Sequence, residues 1–129
     1  MVTKYIEVPP RKWGIVIVMD YDVDDEYDEL MATLRSFGLP PMQSRKALNI
    51  LSNYNTGMTV SLDDIKMSLV MVSKTTSESE FWDTLNHELY HANVAIIDYY
   101  GEPYDEEGAA HLQGYLLGEA VRIIGKPCN

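Results

Sequence analysis

The stretch Asn86-His87-Glu88-Leu89-Tyr90-His91 decides how the rest of the chain is interpreted. It follows the pattern His-Glu-x-x-His, with a glutamate directly after the first histidine. On an α-helix, residues i and i+4 lie one above the other, so His87 and His91 are expected on one side. Two imidazoles so placed can hold one zinc ion, and Glu88, about 100° further round the axis, lies beside the metal as a general base. The pattern therefore predicts a zinc site on a helix.

The flanking sequence supports a helix at this position. Ser77 followed by Glu80 fits a capping box, in which each residue satisfies a free backbone N–H at the start of a helix. Apolar residues then recur at helical spacing. They are Phe81, Leu85, Leu89, Ala92 and Ile96. We therefore expect one face of this helix to enter the core and the histidine face to remain polar.

Composition excludes several classes of function. The 129 residues include 20 acidic and 10 basic side chains, a formal net charge of -10. Such a surface repels phosphate backbones and anionic lipids, so we expect neither a nucleic-acid nor a membrane partner. The single cysteine, Cys128, rules out an internal disulfide and suits a reducing compartment, and no apolar run reaches membrane-spanning length. We expect one cytoplasmic domain, and its oligomeric state is left open.

The order of elements predicts an α/β (α+β) domain in which a small mixed sheet is packed by about four helices. A nearly continuous apolar run marks the central strand. Strands are predicted at 13–19, 58–62 and 66–73. A first helix is predicted to start within the acidic cluster 20–29 and to continue through Phe37. Further helices are predicted at 44–51, 78–98 and 106–124, the last capped by Asp105. The segment up to Pro9-Pro10 has no predicted element and is open to a role as a cover over the cleft.

A zinc site needs a further ligand, and the last helix offers Glu106 and Glu107. One stripe of this helix consists mostly of small residues at i, i+3, i+4, i+7 and i+11. They are Glu107, Ala110, His111, Gly114 and Gly118. Small residues let helix backbones approach closely, so we expect this stripe to pack on the histidine helix and to point Glu107 at the metal. Glu106, about 100° away, is the alternative. His111 is open to roles as a ligand, as an orienting partner, as an oxyanion stabiliser or as a surface histidine.

With His87, Glu88 and His91 followed by Glu107-x-x-Ala110, the chain resembles the zincin metallopeptidases of the gluzincin type, whose third zinc ligand is a glutamate. The resemblance implies a minimal zincin-like domain that hydrolyses peptide bonds, with Zn²⁺ as cofactor and a peptide or protein as substrate. By the same resemblance Glu88 is the base and then the proton donor to the leaving amine. It also implies an edge strand beside the active helix on which an extended peptide pairs, and 66–73 is the candidate.

The segment 55–116 is also similar to small HExxH proteins encoded by gut bacteria and their phages. The positions that carry this likeness are Glu107, Ala110, Leu112, Gly114 and Tyr115. Several residues are candidates for steadying the tetrahedral oxyanion. They are Tyr115, His111, Tyr104 and Tyr90, and the first two are expected to act with Glu88.

Three functions are therefore open at this point. The leading hypothesis is a zinc-dependent metallopeptidase. The alternative is a catalytically inactive, zinc-stabilised interaction module of a bacterial or phage protein. The third is a metal-free helical core in which His87 and His91 pack or face solvent.

Overall fold

A computed structural model describes residues 1–102 and 105–127. Four of its elements are strands: β1 (Val2–Glu7), β2 (Gly14–Met19), β3 (Gly57–Leu62) and β4 (Met67–Val72). The others are helices: α1 (Tyr27–Ser36), α2 (Pro41–Leu51), α3 (Glu78–Tyr99) and α4 (Glu106–Ile124). The strands form one sheet in the order β1-β2-β4-β3. The central pair β2 and β4 is parallel and the outer pairs are antiparallel. The predicted α/β class, a small mixed sheet packed by helices, is confirmed.

Helices cover both faces of the sheet. Ile15 and Ile17 of β2 belong to the core cluster formed with α3 and α4, whereas Val18 belongs to the cluster formed with α1 and α2. A strand that is buried on both faces has no polar face to alternate with, and this explains the continuous apolar run of β2. The molecule therefore has three layers, with α3 and α4 on one side of the sheet and α1 and α2 on the other.

The structure rules out one possibility that the sequence left open and overturns one expectation about the sheet. The N-terminal segment is not a cover over the cleft, because Val2–Glu7 forms an edge strand that pairs with β2. The predicted edge strand 66–73 is an interior strand, since β4 lies between β2 and β3. Its residues Leu69, Val70, Met71 and Val72 are fully buried, as expected for a strand covered on both faces. The edge strand beside α3 is β3.

Ser77 and Asp105 are the N-caps of α3 and α4, as predicted, although of the capping box only the half formed by Ser77 is present among the described contacts. The backbone N–H of Glu80 donates to Ser77 Oγ over 3.0 Å at the start of α3. The N–H of Gly108 donates to Asp105 Oδ1 over 2.6 Å at the start of α4. The apolar stripe of α3 is buried as predicted. Within the described ranges, no helix combines the length and apolar character needed to cross a membrane. Cys128 lies outside the described residues.

Candidate active site

His87 and His91 lie next to each other on the solvent side of α3. Their Nε2 atoms are 3.3 Å apart. Two imidazole nitrogens that bind one tetrahedral zinc at about 2.0–2.1 Å are themselves separated by about 3.3 Å. The same distance also allows a hydrogen bond in which one neutral ring donates its N–H to the other. The pair thus has the separation required of two ligands of a single zinc ion.

Glu88 turns from the histidine face towards the sheet, where its side chain is held in place. The residue is 7 % exposed. The hydroxyl of Thr59 on β3 lies 2.8 Å from Glu88 Oε1 and 3.0 Å from the carbonyl oxygen of Glu88. The other carboxylate oxygen, Oε2, is 4.0 Å from His87 Nε2. Thr59 therefore orients the carboxylate so that its second oxygen lies on the side of the histidine pair.

Gly57 allows β3 to approach α3 this closely. A Cβ at this position would lie 2.7 Å from Glu88 Cγ and 3.1 Å from both Thr84 Cγ2 and the carbonyl oxygen of Met71. Real Cβ atoms essentially never come within 3.0 Å of another heavy atom. The missing side chain is therefore what leaves room for Glu88 between the helix and the edge strand.

Within the part of the chain that the structure describes, no third potential ligand lies beside the histidine pair. Glu107 Oε2 lies 3.6 Å from His111 Nε2, and these two side chains are 89 % and 84 % exposed. Glu106 is also exposed. Among residues 1–102 and 105–127, no group of three His, Cys, Asp or Glu side chains is arranged to hold a metal ion. The described residues therefore provide two neighbouring histidines and one adjacent carboxylate.

The expected packing face of α4 is wrong. The buried residues of this helix are Ala109, Leu112, Leu116 and Ala120. The small-residue stripe is exposed instead, and no neighbouring atom lies within 4 Å of the positions that a Cβ would take at Gly114 and Gly118. Burying a leucine removes much more apolar surface from water than burying a glycine, so the leucine stripe enters the core. The premise that directed Glu107 towards the metal therefore does not hold.

A series of amide hydrogen bonds joins α3 to α4. Asn93 Nδ2 donates to the carbonyl oxygen of Ala109 over 2.9 Å and to Gln113 Oε1 over 3.1 Å. Gln113 Nε2 in turn donates to Asn86 Oδ1 over 2.8 Å. The later residue of α4 pairs with the earlier residue of α3, so the helices run antiparallel. These amides set their register, and hydropathy patterning could not find them because the three side chains are polar.

This register places the exposed stripe of α4 on the side of the histidines. His87 follows Asn86, and Gly114 follows Gln113, each about 100° further round its own helix. Because the helices are antiparallel, the two rotations lead to the same side of the helix pair. The stripe therefore borders the histidine face, with Glu107 nearer the N-terminal end of α4.

The remaining predicted residues are placed as follows. The hydroxyl of Tyr115 donates to the carbonyl oxygen of Glu7 on β1 over 2.8 Å. Partial loss of hydration, and secondarily the charge of Glu119, raise the pKa of Tyr115. Since β1 and β3 are opposite edges of the sheet, this contact directs Tyr115 away from Glu88. Tyr90 is exposed on α3. Tyr104 lies outside the described residues.

In comparisons with known proteins, no family model, no curated protein and no solved structure matches this chain. The functional argument therefore depends on the geometry of the site itself.

Proposed function

We propose that this protein is a zinc-dependent metallopeptidase in which His87 and His91 bind zinc and Glu88 is the general base. The observation that carries this proposal is the position of the Glu88 carboxylate. It is buried, it is held at one oxygen by Thr59, and its free oxygen is 4.0 Å from His87 Nε2. A buried carboxylate costs free energy unless it is hydrogen-bonded, and a helix that merely packed would not need one here. General base catalysis, in contrast, requires a carboxylate at this position.

The residues of the chain divide the chemistry between them. A zinc ion held by the histidines would polarise the substrate carbonyl and lower the pKa of its water ligand to about 7. Glu88 accepts at Oε2 a proton from the water that attacks the substrate carbonyl. It later donates this proton to the amine nitrogen as the peptide C–N bond breaks. Thr59 keeps Oε1 occupied throughout, so that the same oxygen performs both transfers.

The open edge of β3 offers a place for the substrate backbone. The N–H of Ser73 donates to the carbonyl oxygen of Thr56, just before β3 begins. Hydrogen-bonded and non-hydrogen-bonded pairs alternate in an antiparallel ladder, so the backbone groups of Gly57, Thr59 and Ser61 point away from β4. An extended peptide that pairs with these groups would run beside Glu88. We therefore transfer the predicted substrate strand from 66–73 to β3.

The other site assignments remain predictions. Glu107 is the proposed third ligand and Glu106 its alternative. A ligand role for Glu107 requires its side chain to leave His111 and turn towards the histidine pair. His111 and Tyr115 remain candidates for steadying the oxyanion, and a cytoplasmic location and a peptide substrate are part of the proposal. Metal content per chain in Glu107→Ala and Glu106→Ala separates the two carboxylates, because only the true ligand should lower it.

The test of the function compares Glu88→Gln and His87→Ala with the parent. Zinc per chain is measured by elemental analysis, and cleavage is measured with a library of quenched fluorescent peptides. We expect Glu88→Gln to keep its zinc and to lose about 10²–10⁴-fold in turnover, because the amide cannot take the proton. His87→Ala should lose the zinc as well.

Each other outcome has a definite meaning. Equal cleavage by Glu88→Gln and the parent would show that Glu88 is not the base. A parent that binds zinc and cuts no peptide would favour the inactive, zinc-stabilised interaction module. A parent that binds no zinc after incubation with it would refute the metallopeptidase.

A further inference from the structure

An apolar cavity lies behind the same edge strand, on the face of the sheet opposite to Glu88. Its volume is about 250 Å³. The apolar part of its lining consists of Leu39, Ala47, Ile50, Gly57 and Met58. Small-molecule sites usually have volumes of about 300–1,000 Å³, so this cavity suits one side chain better than a whole ligand. Ile50 is 54 % exposed at its mouth, and the cavity is therefore open to solvent.

The alternation of β3 relates this cavity to the histidine face. Gly57 and Thr59 face α3, where they contact or adjoin Glu88. Met58, between them, faces the other way and packs against the core cluster that contains residues of α1 and α2. A peptide strand paired on the outer edge of β3 must alternate in the same way. Its residue opposite Met58 would point to the cavity, and the two neighbours of that residue would point to the α3 side.

The outer edge of β3 has no partner strand among the described residues. A second copy of this chain is a poor occupant for it. A stable interface needs about 800 Å² from each partner, which six strand residues and one small cavity do not provide. Each copy also carries a net charge of -10, which opposes self-association. An extended peptide needs only the backbone groups of the edge and a pocket for alternate side chains.

We propose that the cavity beside Met58 is a specificity pocket that takes one aliphatic side chain of an extended peptide bound along β3. The selected residue is next to one whose side chain points to the α3 side of the sheet, where Glu88 lies. The role of this pocket in choosing the bond that is cut rests on the proposed function. Peptide binding itself needs only the edge of β3 and the cavity. The pocket therefore selects peptides with leucine, or a side chain of similar shape, beside the bond that is cut.

Peptide binding to the Glu88→Gln protein tests this proposal without turnover. The probes are two fluorescein-labelled decapeptides of Ser, Thr and Gly, one with a central leucine and one with asparagine in its place. Their dissociation constants are measured by fluorescence anisotropy. We expect the leucine peptide to bind about tenfold more tightly, the ratio given by burial of most of one aliphatic side chain.

Matched variants of the Glu88→Gln protein locate the preference. Ile50→Asp should abolish the leucine preference, because it places a charge at the mouth of the cavity. Ile65→Asp should keep it, since Ile65 is 57 % exposed in the turn after β3 and does not line the cavity. Ala47→Leu fills the cavity with an apolar side chain and should abolish the preference too. Circular dichroism checks that each variant is folded.

The proposal is overturned by equal binding of the two peptides to the Glu88→Gln protein. It is also overturned by a leucine preference that survives both Ile50→Asp and Ala47→Leu. A dimer in sedimentation that Ile50→Asp dissociates would assign the cavity to a second copy instead. Failure of the proposed function gives a different result. The parent would then bind no zinc and cut no peptide, while the Glu88→Gln protein would still prefer the leucine peptide. That result would keep the pocket and refute the peptidase.

Discussion

Replacement of Gly57 by alanine should destabilise the protein and displace Glu88. The new Cβ would lie 2.7 Å from Glu88 Cγ and 3.1 Å from the carbonyl oxygen of Met71. That carbonyl belongs to the interior strand β4, so it cannot yield without disturbing the sheet. The side chain of Glu88 must therefore give way. Overpacking of this kind costs about 1–3 kcal/mol, which lowers the melting temperature of a domain of this size by roughly 3–10 °C.

Gly118→Ala is the matched control for this substitution. Gly118 lies within α4, and no atom is within 4 Å of its would-be Cβ. Alanine restricts the unfolded chain more than glycine does, so this variant should gain about 0.5–1 kcal/mol. The same chemical change is thus expected to have opposite signs at the two positions. Urea denaturation followed by circular dichroism measures both free energies of unfolding.

Turnover provides a second measurement on the same pair of variants. Gly57→Ala should lower kcat and keep its zinc, because it moves the proposed base and leaves the histidines in place. Gly118→Ala should leave both unchanged. If Gly57→Ala proved as stable as the parent, β3 would not be held against α3 at the distance described, and the argument for a fixed Glu88 carboxylate would fail.

Three further predictions concern single side chains. Thr59→Val removes the hydroxyl 2.8 Å from Glu88 Oε1, and kcat should fall about tenfold at constant zinc content; an unchanged kcat would show that Glu88 needs no anchor. Tyr21 is 3 % exposed and its hydroxyl has no partner among the described residues, so Tyr21→Phe should raise the free energy of unfolding in urea by about 1 kcal/mol. A loss of stability would contradict this. The hydrogen bond from Lys74 lowers the pKa of Asp22 below its ordinary 3.8. The stability that this ion pair contributes is fully present above pH 3.8 and is lost as the pH falls through the lower pKa of Asp22 in the folded protein. Asp22→Asn should therefore weaken the dependence of stability on pH below about pH 4, and an identical acid limb in the two proteins would argue against the ion pair.

Features that depend on neighbours in the chain could be predicted from the sequence. The period of Phe81, Leu85 and Leu89 predicted the buried face of α3, and Ser77 and Asp105 predicted the starts of two helices. Spacing by four residues predicted that the histidines share one side. Helical periodicity and capping are decided within one or two turns, so no knowledge of the rest of the molecule was needed.

The tertiary structure alone decided which elements meet. It made β3 rather than 66–73 the edge strand beside Glu88, since strand order depends on pairings between distant segments. It also buried Leu112 and Leu116 and left Gly114 exposed, because the core takes the stripe with more apolar surface. Thr59 carries no local signal of its role. Its hydroxyl meets Glu88 only once the sheet has formed, and that contact fixes the carboxylate that we propose as the general base.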